Sequence, residues 1–339
     1  MNELNKRKGM NINMNDEKKI TWGISKDLQA DIRYEPNACK GFVMDLSLGC
    51  PHHCSYCLFS PLELKVYKLQ NPGYKGNILP LKLDEFLKRE KFPPSVYLCY
   101  SSDPLGNDEI KESTKIVLKK LFAHNVHVLF ITKGIFDDSI LDIIKQKPEL
   151  MNIQIDVSSC NSQRNKVIEP GAPTYEERLE NIKKLSKIEG IESLVVRMDP
   201  LLPDIDDTEE NMRQILEDIS RLGIKEIVAG YIVLTKGLKN TWEKNRFTQI
   251  ATQALTEVTP TISKQELYSI PFKVKLERLQ KIRKLCEQYG ISLSVCGCKD
   301  ERFKETDIEW ICHPFNRKRR EELNKTVSED MQMKTDHLK

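Results

Sequence analysis

The sequence predicts a parallel α/β fold, either a partial or full β/α barrel or a doubly wound sheet. Strand-like apolar runs alternate with helix-length amphipathic segments along two thirds of the chain. The chemically unusual residues Cys50, Asp103, Lys133, Ser158 and Arg197 fall at or just beyond the C-terminal ends of those runs, where parallel barrels and doubly wound sheets both carry their chemistry. The chain has 339 residues, 39% hydrophobic and 30% charged, enough to bury a sizeable core without disulfides.

The first 20 residues, rich in Asn and Lys, read as a solvated, disordered arm. They contain no apolar run or small-residue cleavage site of a secretory signal, and no stretch reaches the ~20 apolar residues of a membrane span. A cytoplasmic location and no membrane partner are therefore expected. In that compartment thiols stay reduced, so the ten cysteines point to metal binding or catalysis. Lys and Arg number 53 against 50 Asp and Glu, a net charge of +3, which gives no strong field toward nucleic acid or anionic lipid.

The predicted strands cover residues 41–48, 95–100, 126–132, 152–157, 194–198 and 225–231. Between them, apolar residues at Ile110, Val117, Leu118 and Leu121 have helical spacing. Thr174-Tyr175-Glu176-Glu177 has the form of a capping box before a helix through Ile188, and Thr208 opens another that stops before Gly223. Beyond Tyr231 the pattern turns irregular, with helices predicted over 247–258 and 271–289 and a strand over 291–295. The tail from about Asn316 is charged. Its basic run at residues 317–320 reads as a solvated helix face, since Glu321 and Glu322 follow.

The strongest motif is Cys50-Pro51-His52-His53-Cys54-Ser55-Tyr56-Cys57. Three thiolates on one short loop can ligate three irons of a cubane and leave the fourth vertex open for chemistry. The rival reading is a zinc loop completed by a histidine. A second group, Cys286, Cys296, Cys298 and Cys312, admits a second iron–sulfur cluster, a zinc site or unconnected thiols. Cys39 and Cys160 read as small buried apolar residues.

The C-x3-C-x2-C motif with an aromatic before its last cysteine resembles the radical S-adenosylmethionine (SAM) superfamily. The runs 101–104, 131–133, 169–179 and 197–203 resemble its spore photoproduct lyase-like branch, and the likeness covers about residues 38–235. The resemblance implies a partial (β/α)6 TIM-type barrel over 21–235, followed by a C-terminal cysteine-containing extension over 236–315 and a tail over 316–339. It implies that Cys50, Cys54 and Cys57 ligate a [4Fe-4S] cluster whose fourth iron binds SAM. Reductive cleavage of SAM then gives a 5′-deoxyadenosyl radical that takes a hydrogen from a substrate. An electron donor such as flavodoxin or ferredoxin is implied too. The substrate class, whether nucleic acid, peptide or small molecule, stays open. The alternative is a nucleic-acid repair or binding protein with a structural iron–sulfur or zinc site.

Further roles follow from the same resemblance. Ser101, Ser102 and Asp103 stand where the superfamily recognises the SAM amino group, although Asp103 also suits a cap for the following helix. Lys133 and Ser158 match SAM contacts of the branch, and Tyr56 would pack near the adenine. Arg197, an arginine in an apolar strand, must find an anion: a SAM carboxylate, a substrate group or Asp199. The branch lyase has a cysteine hydrogen donor just before its Ser-Asp run. Here Tyr100 takes that position and Cys99 is one residue off, on the other strand face. Tyr100 is thereby a candidate radical relay, Cys99 a second catalytic candidate, and thymine-dimer repair is disfavoured.

Overall fold

The computed structural model describes residues 33–35, 41–57, 65–66, 83, 95–242, 245–261 and 266–311. The expected arm over 1–20, the tail over 316–339, Cys39 and Cys312 lie outside the described residues. No described helix is long and apolar enough to cross a membrane.

Strand β1 (Arg33–Glu35) pairs antiparallel with β2 (Gly41–Met44), and the short β3 (Ser47–Leu48) pairs with β4 (Lys65–Val66). The main sheet continues through β5 (Ser95–Leu98), β6 (His127–Thr132), β7 (Met151–Asp156), β8 (Ser193–Leu201) and β9 (Glu226–Tyr231). A small antiparallel sheet holds β10 (Leu234–Thr235), β11 (Glu257–Thr259) and β12 (Leu267–Ser269). Finally β13 (Ser292–Cys296) and β14 (Glu309–Ile311) return to the main sheet. Its order is β1-β2-β5-β6-β7-β8-β9-β13-β14, parallel from β2 onward, so eight strands form an open barrel wall. Among the described residues the sheet does not close. The stretch over 236–315 supplies the last two of these strands, so part of the expected extension prolongs the barrel sheet itself.

The helices are α1 (Asp108–Ala123), α2 (Asp138–Ile144), α3 (Ser162–Ile168), α4 (Tyr175–Leu185), α5 (Glu209–Arg221), α6 (Lys236–Thr241), α7 (Arg246–Ala254) and α8 (Phe272–Gln288). Their starts follow from the caps. Asn107 accepts from the Ile110 amide, Thr174 and Glu177 form the full capping box, and Thr208 accepts from the Asn211 amide. Helix α5 ends where Gly223 takes φ +86°, a conformation costly for any residue with a Cβ. The short helices α2, α3 and α6 escape a periodicity reading, because two turns hold too few apolar positions to define a stripe.

The two faces of the sheet differ. Val96, Leu98, Val128, Phe130, Ile153, Ile155, Val196, Met198, Ile227 and Val295 point to the helices and are buried in one apolar core. Helix α5 adds Met212, Ile215, Leu216 and Ile219 to that core, at ~1.5–3 kcal/mol for each side chain withdrawn from water. The alternate residues face inward, since parallel register puts paired residues on one face. Asn152, Gln154 and Asp156 of β7 stand beside Arg197 of β8, with Asp156 and Arg197 in register. The inner face therefore carries a polar stripe along β7 and β8 between small apolar patches around Leu129 and around Val195 and Val228, while the outer face is the main packing surface.

Candidate active site

The cysteine loop leaves β3 through Gly49 and is tightly wound. The Cys57 amide donates to the Cys54 carbonyl at 3.0 Å, and His53 sits at φ +48°. It is held from outside by the segment after α3. The Ser55 amide donates to the Ile168 carbonyl at 2.8 Å, and the Gly171 amide to the His52 carbonyl at 2.9 Å. The His52 ring places Nδ1 3.0 Å from the Gly171 carbonyl and Nε2 3.0 Å from Asp103 Oδ2. A Cβ on residue 171 would come within 2.4 Å of the Pro51 carbonyl oxygen, so only glycine allows this contact. From the other side, Trp242 Nε1 donates to Ser55 Oγ at 3.0 Å.

A buried ion network anchors that clamp. Glu169 accepts from Tyr56 Oη (3.1 Å), Arg164 Nη1 (3.0 Å) and Arg178 Nη2 (2.7 Å). Arg164 also donates to both Asp206 oxygens, at 3.0 and 2.6 Å. The side chains of Arg164, Glu169 and Asp206 are wholly buried. Burial alone pushes the Glu169 carboxyl up, but Arg178, Lys133 and Arg164 outweigh it and hold the group ionised, well below the ordinary glutamate range.

Cys50, Cys54, Cys57, Tyr56, Tyr100, Ser101, Ser102, Asp103 and Lys133 all line one cavity of about 220 Å³, together with His52, Tyr97 and Asp156. Nine of the residues anticipated from sequence are thus brought to one place. Burial, and then Asp103, pushes the Cys50 thiol far up; burial pushes Cys54 up to about 12 even with Lys133 near. Such thiols ionise only against a strongly cationic partner, which is what an iron cluster provides. Among the described residues no three donors converge on a single ion. Three thiols facing one cavity from separate positions suit a group with several metal vertices, each taking one sulfur.

Asp103 has a specific setting. Its carboxylate accepts from the Leu105 amide (2.8 Å), Thr132 Oγ1 (2.6 Å) and the Lys133 amide (2.7 Å), and faces His52. It joins the ends of β5 and β6 to the cysteine loop, with most of its lone pairs already engaged. Against the push of burial, His52 and these donors hold its carboxyl well below the usual range. Lys133 donates to Asp156 Oδ2 at 2.8 Å and lies 5.8 Å from the Tyr56 ring centre. Burial works against its charge, but Asp156 and Glu169 hold its pKa above the ordinary lysine value, so it is a fixed cation. Tyr100 packs edge-on to Tyr97, with ring centres 5.7 Å apart.

Three expectations meet a different geometry, and Arg197 takes one of the three anions open to it. Cys99 is turned into the apolar core, 1% exposed, and does not line the cavity. Ser158 is buried behind Asp156 and donates to its Oδ1 at 3.4 Å. Arg197 lies beyond the cavity and finds Asp199, with a second bond to Gln154 at 3.0 Å. Cys286 is not joined to Cys296 and Cys298: it occupies the core stripe of α8 with Leu279 and Ile282, fully buried. Cys296 and Cys298 do meet each other, and Cys160 donates its thiol to Asn211 Oδ1 at 3.2 Å. Asp156 is a site residue the sequence reading does not name; the polar alternation Asn152, Gln154, Asp156 inside an otherwise apolar strand is the available signal. His52, legible only as a zinc ligand, instead braces the loop against Asp103 and the Gly171 carbonyl.

The sequence matches the Radical SAM superfamily over residues 44–219, more than half the chain. It is 25% identical over 194 residues to a candidate glycyl-radical enzyme activating enzyme of Methanocaldococcus jannaschii, covering 57% of this chain and 68% of that protein. It is 19% identical over 199 residues to an uncharacterized protein of Acidianus two-tailed virus, covering 55% of this chain and 65%, just under two thirds, of the viral protein. Among solved structures, spore photoproduct lyase in complex with a dinucleoside spore photoproduct superposes with a TM-score of 0.57 at 17% identity over 81% of each chain. A mutant of that lyase with bound AdoMet gives 0.56 at 18% identity over 80% of each chain. At such identities the likeness is one of fold: an open parallel barrel wall of the same kind. The family uses a [4Fe-4S] cluster and SAM, and with its cysteine loop facing the cavity at the head of that wall, this chain belongs to the radical SAM superfamily.

Proposed function

We propose that the chain reductively cleaves SAM in the cavity at the head of β5–β7 and uses the resulting radical on a substrate bound along the inner face of the sheet. The observation that carries this is the gathering of Cys50, Cys54 and Cys57 with Lys133 around one cavity. Cys50, Cys54 and Cys57 would hold the cluster, each through its thiolate. When bound, cluster and SAM supply a carbon-centred 5′-deoxyadenosyl radical for hydrogen abstraction. The protein does the rest. Lys133 offers an ammonium with donors to spare beyond Asp156, suited to the SAM carboxylate. Ser101 and Ser102 face the cavity where the amino group would lie, and Asp103 positions them by pinning its loop. Tyr56, Tyr97 and Tyr100 form an aromatic wall that excludes water from a reactive radical, and Tyr100 is placed to relay one. A flavodoxin- or ferredoxin-type donor in a reducing cytoplasm would supply the electron.

The test is anaerobic reconstitution followed by dithionite reduction and SAM. About four irons per chain and release of 5′-deoxyadenosine are expected, with both lost in Cys54→Ala. A colourless, iron-free protein refutes the reading. An intact, reducible cluster that leaves SAM whole refutes it in favour of a binding module.

A further inference from the structure

We propose that Arg197 and Lys299 form a subsite for an oxyanion of the substrate, a carboxylate or a phosphate, on the inner face of the sheet between the middle of β8 and the turn after β13. This deepens the reading above and depends on it only in calling the ligand a substrate.

The first support is a charge count. The Arg197 and Lys299 side chains donate to the two oxygens of one carboxylate, Asp199. Among the described residues the other hydrogen-bond partners of Arg197 are Gln154 Oε1 at 3.0 Å and the Cys296 thiol. Among the described residues no second carboxylate touches either cation. The side chains of Arg197, Lys299 and Asp199 are 14%, 26% and 3% exposed, so one positive charge is left over in a partly buried corner. A partly buried charge without a counter-charge is costly. The neighbouring network behaves otherwise: Lys133, Arg164 and Arg178 face Asp156, Glu169 and Asp206, three against three. The excess is specific to this corner.

The second support is position. Arg197 is the register partner of Asp156, which pairs with Lys133 on the wall of the cysteine cavity. Adjacent strands lie about 4.8 Å apart. Arg197 and Asp199 therefore stand one strand along the same inner face, and the Lys299 side chain reaches back to Asp199 from the turn after β13, three strands along. The pair lies roughly 5–10 Å from that wall, the span of a small substrate reaching from the radical source.

The third support is local construction. A Cβ at residue 230 on β9 would approach the Asp199 carboxyl carbon to 3.0 Å, so Gly230 makes the room in which the Asp199 carboxylate sits between the two cations. Trp310 of β14 lies directly over Gly297, where a Cβ would fall 1.0 Å from its Nε1. That packing fixes the turn that delivers Lys299. Lysine has three donors and arginine five, so both retain donors after binding Asp199.

The experiment uses the reconstituted protein saturated with SAM, titrated calorimetrically with inorganic phosphate and, separately, with acetate at constant ionic strength. Binding of either is expected, and which one binds names the oxyanion. Lys299→Met should weaken it at least about tenfold, as loss of a charge-assisted hydrogen bond does, and Lys299→Arg should restore it. Asp199→Asn should tighten it, because the competing carboxylate is gone; a merely structural role would make both variants weaken it. The proposal is overturned if neither anion binds, if Lys299→Met has no effect, if Asp199→Asn weakens binding like Lys299→Met, or if anions bind only when SAM is absent. Release of 5′-deoxyadenosine, measured in parallel, reports separately on the reading of the cysteine site.

Discussion

Replacing Glu169 with Gln tests how the cysteine loop is held. The substitution keeps the size of the side chain and one acceptor oxygen, so Tyr56 Oη and Arg164 can still donate to it at the Oε1 position. At the other oxygen it puts an amide NH2 opposite Arg178 Nη2, which now sits 2.7 Å from a carboxylate oxygen. Arg164 keeps Asp206 as a counter-charge, but Arg178 loses the one carboxylate that it hydrogen-bonds among the described residues. Its other contacts are the backbone carbonyls of Pro173 and Asp156. Removing one member of a wholly buried pair costs about 3–5 kcal/mol. At ~2–3 °C per kcal/mol the calorimetric midpoint should fall by roughly 6–15 °C. The charge origin is checked by Glu169→Gln combined with Arg178→Met. The double variant should be less destabilised than the sum of the singles by at least about 1 kcal/mol, because the stranded cation is gone. A single-variant loss below about 1 kcal/mol, or strict additivity, refutes the clamp as described. Since residues 168–171 bind the loop directly, iron retention should fall with stability.

Three further outcomes follow. Gly171→Ala drives a Cβ to within 2.4 Å of the Pro51 carbonyl, so the loop must shift; cluster content by iron assay should drop while circular dichroism stays near wild type. Lys133→Met should raise the Kd for SAM by about 10–100-fold, the loss of a charge-assisted hydrogen bond, read by equilibrium binding to the reconstituted protein. The stability gap between wild type and Glu169→Gln depends on pH. The folded-state carboxyl is held below its unfolded value, so its contribution is full above the ordinary glutamate range and is lost as pH falls through and below it. Urea unfolding from pH 6 down to about pH 3 should show the gap closing; a gap that widens on acidification contradicts the assignment.

Much of this protein was legible in its sequence because the signals are local. Short apolar runs marked the barrel strands β2, β5 to β9 and β13, and Asn107, Thr174 and Thr208 marked where helices begin. The spacing of Cys50, Cys54 and Cys57 marked a multi-iron loop, since three sulfurs within eight residues must face one small volume. Tertiary structure decided which distant residues meet. Cys286 and Cys296 look like companions in sequence, but a helix stripe aims one at the core while strand alternation aims the other inward. Asp103 lines the cavity as expected of a site residue and also knots three segments together, a second role that could not be read locally because the ends of β5 and β6 and the loop converge only in the folded sheet. Arg197 and Lys299 are about a hundred residues apart, and the parallel order of β8, β9 and β13 together with the turn packed under Trp310 sets them against one carboxylate. Side-chain periodicity is written in the nearest few residues; which strand stands beside which, and hence which charges balance, is set only when the sheet assembles.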